Sequence, residues 1–143
     1  MPVVNLHKAV QLIQISEDED APVFKLDLSD KSVNEKASLV AGCWAVYQNT
    51  LKAFEEGKID ADEFRIRQAA IYKQVIVVML GEEAFNTLYN FLKGPSDLPF
   101  EEITMTAAPL AEYLLGEFDA IFTINRSKVM RDFIGESDGT DAI

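Results

Sequence analysis

The chain has 143 residues with 24 acidic and 13 basic side chains, a formal net charge of −11, and is 48% hydrophobic and 26% charged. That length fits one domain whose core needs no covalent staples, and so acidic a surface repels a nucleic-acid backbone. A single cysteine, Cys43, excludes an intramolecular disulfide and leaves a zinc cluster short of ligands.

Residues 9–15 (AVQLIQI) and 22–28 (PVFKLDL) alternate apolar and polar side chains and predict two short strands, a β-hairpin over about residues 9–28. The apolar set is Val10, Leu12 and Ile15 in the first strand, and Val23, Leu26 and Leu28 around Lys25 and Asp27 in the second. Between them the run Glu17 to Asp20 lacks the ligand spacing and the glycine of a calcium loop, so it is expected to be a solvated turn.

The first helix is expected to start within Ser29–Glu35, where Ser32 and Glu35 have capping-box spacing and Asp30 sits near the positive end of the dipole. Val33, Ala37, Val40, Trp44, Tyr47, Leu51 and Phe54 then form a heptad seam, read as the core stripe of a bundle helix with Trp44 and Tyr47 as anchors. Gly57 stops it, and the short connection to Asp60 predicts an antiparallel helical hairpin.

The second helix is expected between Asp60 and Gly81, with Asp60 and Glu63 at capping-box spacing and Phe64, Ile71, Val75 and Val78 as its main stripe. From Val75 to Leu80 it is apolar without a break, so its last two turns need cover from several sides or from a partner. Tyr72, Ile76 and Val77 lie off the main stripe, and they are the candidate partner-binding residues. Glu82 and Glu83 open a third helix with Phe85, Leu88, Tyr89 and Leu92 as its apolar face, stopped at Gly94 and Pro95 and followed by a loop to Pro99. Pro109 then demands either a kink or a junction near Ala108, and the spacing of the apolar residues predicts a long helix from about Pro109 to Arg126 after a short turn. Val129, Met130, Phe133 and Ile134 suggest a short last helix before a polar end.

These elements predict a mainly α protein, a helical bundle of four to five helices with a small N-terminal β-hairpin. One domain is expected over residues 1–135 and a flexible acidic tail over 136–143. No run is apolar and long enough to span a bilayer, and the first residues lack the pattern of a signal peptide.

The residues that could carry chemistry are few. His7 is the only histidine and has no second metal ligand nearby in sequence, so it reads as a surface residue. Cys43 falls within a helical apolar pattern and reads as a core thiol. Asp60 with Asp62, and Glu82 with Glu83, are explained by helix starts, while Arg65, Arg67, Arg126, Lys128 and Arg131 are interleaved with acids and make no nucleic-acid groove. No phosphate-cradling loop or nucleophile elbow is present. The expectation is a protein with no catalytic, metal-ligating or cofactor-binding residue, and with no membrane or nucleic-acid partner.

The segment VIVVMLGEEAFNTLYNFL that ends the helical hairpin, the β-like start and the last helix LAEYLLGEFDAIFTINR together resemble the small tail assembly chaperones of long-tailed bacteriophages infecting Gram-positive hosts. Leu80, Gly81, Ala84 and Phe85 form the most suggestive element, and the likeness covers residues 22–134. The resemblance implies a non-enzymatic role in the host bacterial cytoplasm, holding the tape measure protein soluble while the tail tube polymerises around it, with the chaperone absent from the finished virion. It defines no residue-specific binding site and leaves a homo-oligomer open. The competing expectations are an acidic regulatory or inhibitory binding protein of the DNA-mimic type and a minor structural tail component.

Overall fold

A computed structural model of the chain describes residues 1–4 and 8–121. His7, the suggested helix around residues 129–134 and the acidic tail at 136–143 lie outside the described residues. The elements in order are β1 (Val10–Gln14), β2 (Val23–Asp27), α1 (Asp30–Glu55), α2 (Ala61–Leu80), α3 (Glu82–Lys93) and α4 (Phe100–Met105), followed by α5, described over 108–121. The protein is mainly helical, with a two-stranded antiparallel sheet at its N-terminal end, as the sequence predicts.

In the sheet Ile13 pairs with Phe24 and Leu12 with Lys25. Phe24, Leu26 and Leu28 are buried, and Ile13 and Ile15 pack on the same core. Val10, Leu12 and Val23 face outward, with Leu12 74% exposed. This corrects the expected inner set, and the reason is the two-residue period. AVQLIQI carries apolar residues at both parities, and the bulk of Phe24 on β2 selects the register that turns Ile13 inward and flips Val10 and Leu12 out.

The N-cap of α1 is Ser29, one turn before the expected Ser32 and Glu35 pair. The Ser32 backbone N–H donates to Ser29 Oγ at 3.4 Å, and the Ser29 N–H donates to Asp27 Oδ1 at 2.9 Å. Those bonds from Ser29 hold the Asp27 carboxyl below its ordinary range, so the strand end and the helix start form one hydrogen-bonded corner. Along α1 the buried residues are Ser32, Val33, Cys43 and Thr50. Trp44 is 56% exposed, so it is not the buried anchor expected of it. Neighbouring helical positions differ by about 100° in direction, so a broad apolar arc contains both Cys43 and Trp44 and its period cannot choose between them. In the folded chain the small Cys43 faces Ile71 of α2, while Trp44 is turned aside onto Tyr47, ring centroids 5.8 Å apart.

The helix α2 starts as predicted, with the Glu63 N–H donating to Asp60 Oδ1 at 2.8 Å. Its buried residues are Ala69, Ile71, Val75, Ile76 and Met79, and it packs against α1, β2, α3 and α4. Lys36 of α1 donates to the Met79 carbonyl at 3.1 Å, placing a cation at the negative end of the α2 dipole. Gly81, at φ +101°, separates α2 from α3 in a conformation that a side chain would strain. Above α3, Lys73 lies over the rings of Phe85 and Phe100, at 5.3 and 5.7 Å from their centroids. An Arg65–Glu102 ion pair ties α2 to α4.

The α4 helix ends at Met105, a turn occupies 106–107, and α5 begins at 108. Pro109 therefore sits in a first turn, where its missing N–H has no intrahelical acceptor to lose, and the junction rather than the kink is realised. Ala107, Ala111, Leu114 and Phe118 complete the core from this side.

Equilibrium urea denaturation is expected to separate the two aromatic and aliphatic candidates for the core. Ile76→Ala should cost about 2–5 kcal/mol, as fully buried large-to-small changes do, whereas Trp44→Ala should cost about 1 kcal/mol or less. Gly81→Ala should destabilise by about 1 kcal/mol or more through the backbone alone, because a Cβ there meets nothing within 4 Å.

Candidate partner-binding cleft

Of the three candidates from α2, Ile76 is enclosed at 0% exposure and cannot reach a partner. Val77 is half-buried and packs against the core cluster. Tyr72 does reach a cleft, and its hydroxyl accepts from Gln68 Nε2 at 3.2 Å. The helix is a core spine, and the accessible apolar surface lies beside it.

That surface is built where α1 and α5 run past each other. A small cavity of about 190 Å³ is lined by Cys43, Trp44 and Tyr47 of α1, Ile71, Tyr72 and Val75 of α2, and Glu112 and Leu115 of α5. A larger cleft of about 510 Å³ adjoins it, with Ala37, Val40, Ala41 and Trp44 on one wall and Leu115, Gly116, Phe118 and Asp119 on the other. Trp44 and Leu115 belong to both, so the two form one trough.

Residues 37–51 of α1 carry no charged side chain, so this wall is apolar or neutral over four turns of helix. Small side chains at Ala37 and Ala41 leave the trough open beside the Trp44 ring. On the facing wall Gly116 contributes no side chain, and a Cβ there would meet nothing within 4 Å. Glycine in a helix interior costs about 0.5–1 kcal/mol relative to alanine, and here its effect is to keep the floor accessible. Between residues 108 and 121 the only charged groups are Glu112, Glu117 and Asp119, all acidic. Among the described residues no ion-pair partner stands against Glu112 or Asp119.

A second cleft, of about 570 Å³, lies on the opposite side of α1 around Leu39, Gly42 and Val46 and is edged by Arg67 and Gln74. The space between the hairpin, α3 and α5 is bridged by Tyr113, whose hydroxyl lies 3.1 Å from Gln11 Oε1 and 3.0 Å from Glu117 Oε1.

Two of the titratable groups that line the trough, Cys43 and Tyr72, are disfavoured in their ionised forms by burial. Burial pushes the Cys43 thiol above its ordinary 9.0, and burial also raises Tyr72, against the opposing effect of its bond from Gln68. What the arrangement can do is bury apolar side chains of another molecule. Among the described residues no group of three or more His, Cys, Asp or Glu is placed to hold a metal ion, and no helix is long and apolar enough to cross a membrane.

Sequence periodicity singled out Tyr72 but missed Ala41, Leu115 and Gly116. The charge-free run along α1 and a glycine inside an otherwise well-formed helical pattern were the signals that could have found them. The chain matches no protein family, no curated protein and no solved structure.

Alkylation kinetics give a check on the thiol. The folded chain should react with iodoacetamide about tenfold more slowly than the urea-unfolded chain at mildly alkaline pH, and the midpoint of its pH–rate curve should lie above 9.0.

Proposed function

We propose that this chain is a non-enzymatic phage tail assembly chaperone that binds apolar helical stretches of the tape measure protein and keeps it dissolved during tail assembly. The observation that carries the reading is the open apolar trough around Trp44, held on a molecule whose net charge is −11. The trough supplies a dry surface for an amphipathic helix. The acidic exterior supplies repulsion between complexes, which keeps them apart in solution.

The magnitudes suit a reversible mask. Burying the exposed part of one tryptophan contributes on the order of 3 kcal/mol, so a few such contacts against the cost of association give a complex that can be dismantled. A client released one segment at a time to the growing tube requires that reversibility. The site of action in this reading is the host bacterial cytoplasm, and the finished virion lacks the protein. A DNA mimic would array its carboxylates along one face, whereas Asp30, Asp62, Glu63, Glu82, Glu83, Glu101 and Glu102 all stand in first turns of helices, where the dipole accounts for them.

Co-expression with a tape measure protein provides the test. The soluble fraction of that protein should rise several-fold with the intact chain and much less with Trp44→Ser; an unchanged soluble fraction with the intact chain sinks the proposal.

A further inference from the structure

We infer that the α1/α5 trough is selective for amphipathic helices that carry basic residues along the edge of their apolar stripe, and that Glu112 and Asp119 are the residues that read them. This rests on the client-binding role proposed above and adds the chemistry of the segment that is bound.

The argument starts from the asymmetry of the two walls. The α1 wall is uncharged from residue 37 to residue 51, so it offers only apolar contact. The α5 wall has Leu115 and Gly116 at its middle, Glu112 lining the trough at one end and Asp119 at the other. The two carboxylates are seven positions apart on one helix, which places them about 10.5 Å from each other on the same face. Neither has an ion-pair partner among the described residues.

An occupant lying along the trough therefore meets an apolar floor bracketed by negative charge on one side. A second helix antiparallel or parallel to α5 repeats at the same rise, so lysine or arginine residues seven apart on its flank stand opposite both carboxylates at once. An apolar stripe with acidic flanks would instead bring like charges together at the rim of a desolvated cleft, which costs affinity. The open position at Gly116 adds a shape requirement, since the ridge of a bound helix can approach there without meeting a side chain.

Trp44 is the only tryptophan in the chain and borders the trough, so its emission reports occupancy directly. The probes are synthetic helices sharing one leucine–alanine stripe, flanked either by lysines or by glutamates at seven-residue spacing. Titration of the full chain should give a blue shift of Trp44 emission with the lysine-flanked peptide and binding about tenfold tighter than with the glutamate-flanked one. The preference should shrink several-fold between about 0.05 M and about 0.5 M salt, because rim charges are screened. The double variant Glu112→Lys and Asp119→Lys should reverse the preference, and Gly116→Met, whose new side chain starts in open space, should weaken both peptides while circular dichroism stays unchanged.

Equal affinity for the two peptides, or a preference that survives the double charge reversal, overturns the inference. Trp44 emission that shifts with the concentration of the free chain would assign the trough to a second copy and overturn it as well. The peptide result is independent of the tape measure protein. A chain that shows the lysine preference yet fails to keep that protein dissolved loses the chaperone reading and keeps this one, and the opposite pair of results does the reverse.

Discussion

Everything in this fold depends on excluding water from the last two turns of α2. Those turns are apolar on every side, from Val75 to Leu80, so a single neighbouring element could cover only part of them. Several elements converge on the helix instead: among the described residues α1, β2, α3 and α4 all pack against it, and Leu114 and Phe118 of α5 share its core cluster. The connections make that convergence local, since the link from Glu55 to Ala61 is short and Gly81 alone separates α2 from α3. Such an arrangement closes few long loops, and the entropy lost in assembling it is correspondingly small.

Covering the end of α2 from several sides has a geometric consequence for its neighbours. The small Cys43 and Thr50 are the residues that α1 buries along its middle, which lets it lie close to α2 but turns its larger side chains away. Leu39, Trp44 and Val46 are left more than half exposed. Surplus apolar surface has therefore moved from the spine, where the sequence pattern first locates it, to the outer flanks of its neighbour. Polar residues at those positions would make the chain less prone to associate, because exposed apolar side chains favour association over solvation.

Helix existence and limits were largely legible in the sequence because their determinants are local. Asp60 caps α2 from three residues away, Gly57, Gly81 and Gly94 end helices through their own positive φ, and Pro109 marks a first turn by its own covalent structure. Faces were less legible. β1 has apolar residues at both parities, and only its pairing with Phe24 selects one. In α1 the choice between Cys43 and Trp44 rests on how closely α2 approaches, which is a property of both helices. The candidate site follows the same division. Tyr72 lines the trough, but Ile76 does not, because assigning it to the outside assumed fewer covers than α2 receives. The α5 wall could not be anticipated at all from periodicity, since it concerns the flank of a stripe that is otherwise correctly placed.

The acidic wall of α5 also governs how copies of this molecule treat each other. Two identical troughs brought face to face would bring Glu112 and Asp119 of both copies to one opening, and no basic residue between 108 and 121 could compensate. Charge of one sign at the edge of an apolar opening opposes the approach of a second copy at the distance where hydrophobic attraction would begin. That opposition is only as strong as the ionic strength of the surrounding medium allows.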